Sequence, residues 1–223
     1  MSRALLLVHS PLLGPSSWAP MASAAVDRGH EVGVADLRPA LELDGPLWPE
    51  MVRLARIAGR HLREPVDVIA HSGAGALLPG IGAAMGPSLG RLVFVDAVLP
   101  PASGPHRFQG LLQKVEELAG GADRLPSWWE WWPEDTVARL VPDRSLRKTL
   151  QADTPRVPVE WWRQEIPTPT AWAERRHLYV RLSTPYDEDA ERARSMGFDV
   201  VTLDSHHLAI ATDPEGVLDA VLA

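Results

Sequence analysis

The stretch VIAHSGAGALLPG, residues 68–80, decides the fold because it places a serine where a buried strand runs into a helix. A serine on a sharp turn between two such elements is the arrangement of a nucleophile elbow. Strand and helix pass closely there, so the flanking side chains must be small. The residues that meet this need are Ala70, Gly73, Ala74 and Gly75. The pattern predicts Ser72 as a nucleophile and the Gly73 N–H as an oxyanion donor; a glycine-rich phosphate-binding turn is the alternative.

Strand-like and helix-like segments alternate along most of the chain. Strands are predicted at 4–8, 31–35, 66–70, 91–96, 177–182 and 199–203, and helices at 16–28, 48–62, 75–85, 187–196 and 213–222. This alternation predicts right-handed crossovers and a mostly parallel sheet. We therefore expect an α/β fold with three αβα layers and a sheet of about six strands.

The alternation stops near residue 104 and resumes near residue 175. Residues 104–174 contain many prolines and seven of the nine tryptophans. We expect a helical lid there, inserted over the carboxyl edge of the sheet, where ligands bind in such folds, and a core formed by residues 1–103 and 175–223. The tryptophans either attach this lid to the core or line an apolar or aromatic acyl pocket. The candidate pocket residues are Trp128, Trp131, Trp132 and Trp162.

Composition limits the classes of function. The chain of 223 residues has a formal net charge of −7 and no cysteine. A negative balance argues against nucleic acid and anionic membranes as partners, and the lack of cysteine excludes disulfides and thiolate chemistry. Neither a metal-ligand motif nor a nucleotide-binding loop occurs, so we expect a small-molecule substrate, no cofactor and no metal.

The N-terminal residues MSRALLLVHS lack the apolar core and cleavage site of a signal peptide. We therefore expect a cytoplasmic protein, and the heavy use of Ala, Arg, Leu and Pro is typical of a GC-rich bacterial genome. A monomer and a homodimer are both compatible with the sequence.

A partner for the serine lies in DSHHLAIATDPEGV, residues 204–217, between the last predicted strand and the last helix. A histidine in this loop can reach back over the sheet edge to Ser72. His206 and His207 are both candidates on position alone.

Over nearly its whole length the chain resembles proteins of the α/β-hydrolase fold. LLLVHSPLLGPSSW resembles the first-strand segment of that family, AHSGA its G-x-S-x-G elbow, and HLAIATDP its terminal histidine segment. The resemblance implies that His207, seven residues before Pro214, is the catalytic base. Ser72 would then attack an acyl carbon and form a covalent intermediate.

The family places its acid in one of two positions. One lies beyond the strand at 177–182, where Pro185 stands in place of the usual aspartate and Asp187 follows at the start of a helix. The other lies at the end of the strand after the elbow helix, where RLVFVDAVLP supplies Asp96. The resemblance favours Asp96 as the acid, with Asp187 as the alternative.

The resemblance also implies a second oxyanion donor just after the first strand. Pro11 stands at the usual position and has no N–H. Leu12 or the hydroxyl of Ser10 could replace it, and Ser10 stands where hydroxynitrile lyase-like relatives have a threonine that touches substrate. His9 is expected to hold loops together.

The expected function is hydrolysis of a small ester or related acyl bond by Ser72, His207 and Asp96. Two alternatives stay open at this point. The Ser–His pair could serve as a base in lyase, cyclase or isomerase chemistry of natural-product biosynthesis, or the protein could bind a ligand without catalysis.

Overall fold

The computed structural model describes residues 2–108, 110–175 and 177–223, and a single six-stranded sheet organises them. The strands are β1 (Ala4–Val8), β2 (Glu31–Ala35), β3 (Val66–Ser72), β4 (Leu89–Ala97), β5 (Leu178–Arg181) and β6 (Asp199–Thr202). Their order is β2-β1-β3-β4-β5-β6, and each neighbouring pair is parallel. The predicted parallel sheet of about six strands is confirmed.

Helices connect the strands. They are α1 (Ala19–Asp27), α2 (Trp48–Gly59), α3 (Leu78–Met85), α4 (Leu112–Ala119), α5 (Glu134–Leu140), α6 (Arg144–Asp153), α7 (Glu160–Arg163), α8 (Asp187–Ser195), α9 (Ala209–Thr212) and α10 (Pro214–Leu222). Short 3-10 turns precede α1 and α3, so both helices start later than the sequence pattern predicts.

The sheet has a buried apolar layer on each face because alternate strand residues point to opposite sides. In β1, Leu6 joins the layer packed under α2, α3 and α8, while Leu5 and Leu7 join the layer under α1 and α10. All three leucines are fully buried. Full burial of such a side chain stabilises the fold by roughly 1.5–3 kcal/mol relative to exposure.

The segment between β4 and β5 contains α4 to α7, and several hydrogen bonds tie it to the sheet-bearing part of the chain. The Asp153 carboxylate at the end of α6 accepts hydrogen bonds from the backbone N–H and the hydroxyl of Ser16, at 2.9 and 2.7 Å. The Gln164 amide oxygen accepts a hydrogen bond from the Leu47 N–H at 2.8 Å. The role of residues 104–174 as a lid stays a prediction.

Within the described residues, no helix combines the length and the apolar character needed to cross a membrane.

Candidate active site

Ser72 ends β3 in a strained backbone conformation. Its φ is 57° and its ψ is −130°, a region that non-glycine residues rarely adopt. A 3-10 turn over Gly73–Leu77 follows directly and leads into α3. The serine is therefore presented at the carboxyl edge of the sheet, beside the N-terminus of the following helix, and its residue is only 6% exposed.

Gly75 permits the close approach of this turn to the next strand. A Cβ atom placed on Gly75 would lie 2.2 Å from the Val98 carbonyl oxygen and 3.0 Å from the Ala97 Cβ. Both obstacles belong to or adjoin the backbone and cannot rotate away. The small residue that the sequence requires at this position thus has a steric cause.

Gly75→Ala is expected to lower the free energy of unfolding by about 1–3 kcal/mol, the usual cost of overpacking. Urea denaturation followed by tryptophan fluorescence measures it. Gly80→Ala is the matched control. Gly80 lies within α3, and a Cβ there would meet only Val52 Cγ2 of α2, at 3.4 Å. The free energy of unfolding of this variant should be unchanged or slightly raised. Equal stability of the two variants would contradict the steric argument.

A β-bulge aims Asp96. His71 pairs with Val95 and Ser72 with Ala97, so Asp96 is the extra residue of β4 and takes a φ of 44°. Bulges redirect side chains out of the regular alternation of a strand. Asp96 therefore faces the carboxyl edge of the sheet and departs from the side-to-side alternation of its neighbours in β4.

Asp96 is fully buried and holds His207. Its Oδ2 lies 2.7 Å from His207 Nδ1, and its Oδ1 accepts the N–H groups of Leu182 and Ser183 at 2.8 and 2.9 Å. The Ser183 hydroxyl donates to Oδ2 at 2.5 Å. Burial alone would raise the pKa of Asp96, but the hydrogen bonds from His207, Ser183 and Leu182 outweigh it and lower the pKa. Asp96 is thus an ionised carboxylate that fixes a proton on His207 Nδ1.

The structure separates the two adjacent histidines. His207 lies against His71, with ring centroids 4.3 Å apart, and its carbonyl oxygen lies 2.9 Å from His71 Nε2. His206 turns away, where its Nδ1 accepts the Leu208 N–H at 3.3 Å and its Nε2 meets the Thr212 hydroxyl at 3.2 Å. Burial and then the neighbouring His207 hold the pKa of His71 well below its ordinary value, so His71 is neutral.

The Asp187 side chain does not contact His207. It is the first residue of α8 and forms an ion pair with Arg181 at 2.5 Å between Nε and Oδ1. Its side chain is about half exposed. Of the two candidate acids, Asp96 is the one that contacts the histidine.

The loop after β1 forms the other wall of the turn. The Leu12 N–H donates to Ser10 Oγ at 3.2 Å, and a Cβ on Gly73 would lie 3.6 Å from Pro11 Cδ. The ring of His9 joins the ends of β1 and β2, since Nδ1 bonds the Ser10 carbonyl at 2.7 Å and Nε2 accepts the Leu37 N–H at 3.0 Å. The Ser10, Leu12 and Gly73 donors therefore lie on the β1 side of Ser72.

The predicted tryptophans fall into different environments. Trp128 and Trp162 are buried, in the apolar layers on opposite faces of the sheet, whereas Trp132 is 44% exposed. Trp131 is partly buried and packs against both layers, as does Leu12.

Tyr186 is the residue that the sequence analysis missed. It ends the 3-10 turn Thr184–Tyr186, and its hydroxyl lies 3.3 Å from Ser72 Oγ. Its ring stacks on His207 at 5.2 Å between centroids, with 6° between the planes. Among the described residues, the hydrogen-bond partner of Ser72 Oγ is the Tyr186 hydroxyl, and no hydrogen bond joins Oγ to His207. The sequence offered one indication of its role: Tyr186 follows Pro185, in the loop where the family often places its catalytic acid.

A groove of about 600 Å³ lies away from the candidate active site. It is bordered by residues 41–47, 116–124 and 158–163 and is separate from Ser72 and His207. Within the described part of the chain, no group of three or more His, Asp or Glu side chains is placed to hold a metal ion.

Solved structures with the same fold are numerous, although no protein-family model and no curated protein matches the chain. One is an extracellular α/β-hydrolase from a Paenibacillus species, described as structurally and functionally homologous to tobacco salicylic acid binding protein 2. It has a TM-score of 0.75 and 15% identity, over 99% of this chain and 98% of that one.

A variant of tomato methylketone synthase I in complex with β-ketoheptanoate has a TM-score of 0.74 and 13% identity, over 100% and 96% of the two chains. Polyneuridine aldehyde esterase has a TM-score of 0.70 and 18% identity, over 100% and 98%. The chain has the α/β-hydrolase fold, which confirms the resemblance seen in its sequence. The Paenibacillus protein is named as extracellular, and the cytoplasmic location stays a prediction.

Proposed function

We propose that the protein is a serine hydrolase that cleaves a small ester or related acyl bond through a covalent intermediate on Ser72. The observation that carries the proposal is the pairing of a strained serine at the end of β3 with a His207–Asp96 hydrogen bond of 2.7 Å. A histidine ordered by a buried carboxylate is what activates a serine hydroxyl in acyl transfer.

In the acylation step, Ser72 Oγ attacks the acyl carbon while His207 Nε2 takes the serine proton. Asp96 keeps the other proton on Nδ1 and stabilises the imidazolium that forms. The carbonyl oxygen, which becomes an oxyanion, receives hydrogen bonds from the Gly73 N–H and from the Ser10 hydroxyl, whose oxygen accepts the Leu12 N–H. His207 then protonates the leaving oxygen as its bond to the acyl carbon breaks.

In the deacylation step, His207 takes a proton from water, and the resulting hydroxide attacks the acyl carbon. The second oxyanion collapses, the bond to Ser72 Oγ breaks, and His207 returns a proton to Oγ. The products are the free acid and the alcohol, and the enzyme regains its starting protonation.

Leu12 and Trp131 support an apolar or aromatic acyl group. Both are partly buried and pack against both apolar layers, and Leu12 follows Pro11, whose ring lies beside Gly73. Aromatic and aliphatic side chains around a few polar groups are typical of small-molecule sites. The polyneuridine aldehyde esterase among the similar structures supports ester cleavage as the type of reaction.

A second candidate is chemistry in which the Ser72–His207 pair serves only as a base, as in a lyase, cyclase or isomerase. Two observations favour it. Pro11 removes the usual oxyanion N–H, and the recorded hydrogen bond of Ser72 Oγ goes to Tyr186 and not to His207.

The proposal predicts rapid labelling of the folded protein by a fluorophosphonate probe. The adduct should lie on Ser72 because only an activated serine reacts quickly with such a probe. Trypsin releases residues 64–91 as one peptide, which contains Ser72 and Ser88. Fragment-ion mass spectrometry then assigns the adduct, with Ser88 as an internal control.

Heat-denatured protein should not be labelled, which separates an activated serine from general reactivity. Absence of an adduct on the folded protein would contradict the nucleophile and favour base chemistry or ligand binding. An adduct shared equally by Ser72 and Ser88 would contradict it too.

A further inference from the structure

Tyr186 contacts the two central groups of the site at once. Its hydroxyl lies 3.3 Å from Ser72 Oγ, and its ring lies parallel to that of His207. Burial raises the pKa of its phenol above the ordinary value, so the hydroxyl keeps its proton at neutral pH. A protonated phenol at this distance can donate a hydrogen bond to the serine oxygen.

Sheet order places Tyr186 opposite the oxyanion donors. Tyr186 follows β5, while Ser10 and Leu12 follow β1, and β1 and β5 lie on opposite sides of β3. The phenol therefore approaches Ser72 from the side of His207. The contact that the phenol makes on this side is with the serine oxygen, at 3.3 Å.

We propose that Tyr186 is a catalytic residue whose hydroxyl donates a hydrogen bond to Ser72 Oγ and stabilises the negative charge that this oxygen carries during attack and release. The inference rests on the proposed function. Tyr186 keeps its own proton throughout: the serine proton passes through His207 to the leaving oxygen, and a proton from water returns through His207 to Oγ. The same contact stabilises Oγ as it leaves the acyl carbon in deacylation.

Tyr186→Phe tests the hydroxyl alone, because phenylalanine retains the ring that stacks on His207. Hydrogen bonds to charged groups are worth enough to change a rate about 10–100-fold. We expect that loss in the second-order rate of fluorophosphonate labelling and in kcat for p-nitrophenyl ester hydrolysis, with little change in KM.

Tyr179→Phe is the matched control, since the chain contains two tyrosines. Tyr179 is fully buried, and its hydroxyl donates to the Ala97 carbonyl at 2.6 Å. Its variant should be labelled at close to the wild-type rate. Labelling of Tyr186→Phe at the wild-type rate, with Ser72→Ala unlabelled, would overturn the inference and leave the proposed function intact. A wild-type protein that is not labelled would instead remove the proposed function.

A second measurement does not depend on the folding of Tyr186→Phe. In protein containing 3-fluorotyrosine, ¹⁹F NMR should give two resonances, assigned from the Tyr179→Phe variant. Ser72→Ala is expected to shift the Tyr186 resonance and to leave that of Tyr179 in place. An unmoved Tyr186 resonance would refute the contact.

Discussion

Ser72→Ala is expected to lower the turnover of p-nitrophenyl acetate, butyrate and octanoate by about 10⁴–10⁶-fold, the usual loss when a triad nucleophile is removed. The physical reason is that no other group at the end of β3 can form the acyl intermediate. Rates are measured with wild type and variant at equal concentration of folded protein. In the wild type, the trend with chain length gives the length of acyl chain that the enzyme accepts.

Ser17→Ala is the matched control for this variant. Ser17 is also a buried serine, but its hydroxyl donates to the Gly14 carbonyl at 2.7 Å, away from the site. Its variant should retain activity within a few-fold. Full turnover by Ser72→Ala would show that the serine is not a nucleophile, and a wild type inactive on every ester would favour lyase or isomerase chemistry.

Asp96→Asn is expected to lower kcat by about 10⁴-fold with little change of fold. Oδ1 of residue 96 must remain an oxygen, because it accepts the N–H groups of Leu182 and Ser183. The new amide nitrogen therefore replaces Oδ2 and donates to His207 Nδ1. The imidazole proton is then forced onto Nε2, which can no longer take a proton from Ser72.

Asp187→Asn separates the two candidate acids. Asp187 is half exposed and paired with Arg181, and surface ion pairs contribute about 0–1 kcal/mol. The kinetics of this variant should be close to wild type. A large loss of kcat in Asp187→Asn, with Asp96→Asn still active, would assign the catalytic acid to the loop after β5 and contradict its assignment to Asp96.

The sequence predicted the sheet well because parallel strands covered on both faces are continuous apolar runs. The end of β3 was placed two residues too early, at Ala70. His71 and Ser72 are polar, but they still pair with β4, and hydrophobicity alone cannot indicate that pairing.

The site was harder to predict where it depends on the register of pairing between neighbouring strands. Asp96 and Asp187 were distinguished only by resemblance, since the bulge that turns Asp96 toward His207 leaves no mark in composition. Tyr186 was missed for the same kind of reason: its contact with Ser72 joins residues 114 positions apart. The tryptophans were visible as a cluster, but their distribution between two apolar layers depends on packing and not on spacing.

The bulge at Asp96 has a consequence for how this fold divides its tasks between strands. Because β4 supplies the carboxylate, the loop after β5 does not have to supply an acid. It contributes hydrogen-bonding groups instead: two backbone N–H groups, the Ser183 hydroxyl and the Tyr186 phenol. A redesign that moved the acid from position 96 to position 185 would place its negative charge in the residue next to Tyr186. The position of the bulge at Asp96 thus determines which chemistry the neighbouring loop can carry.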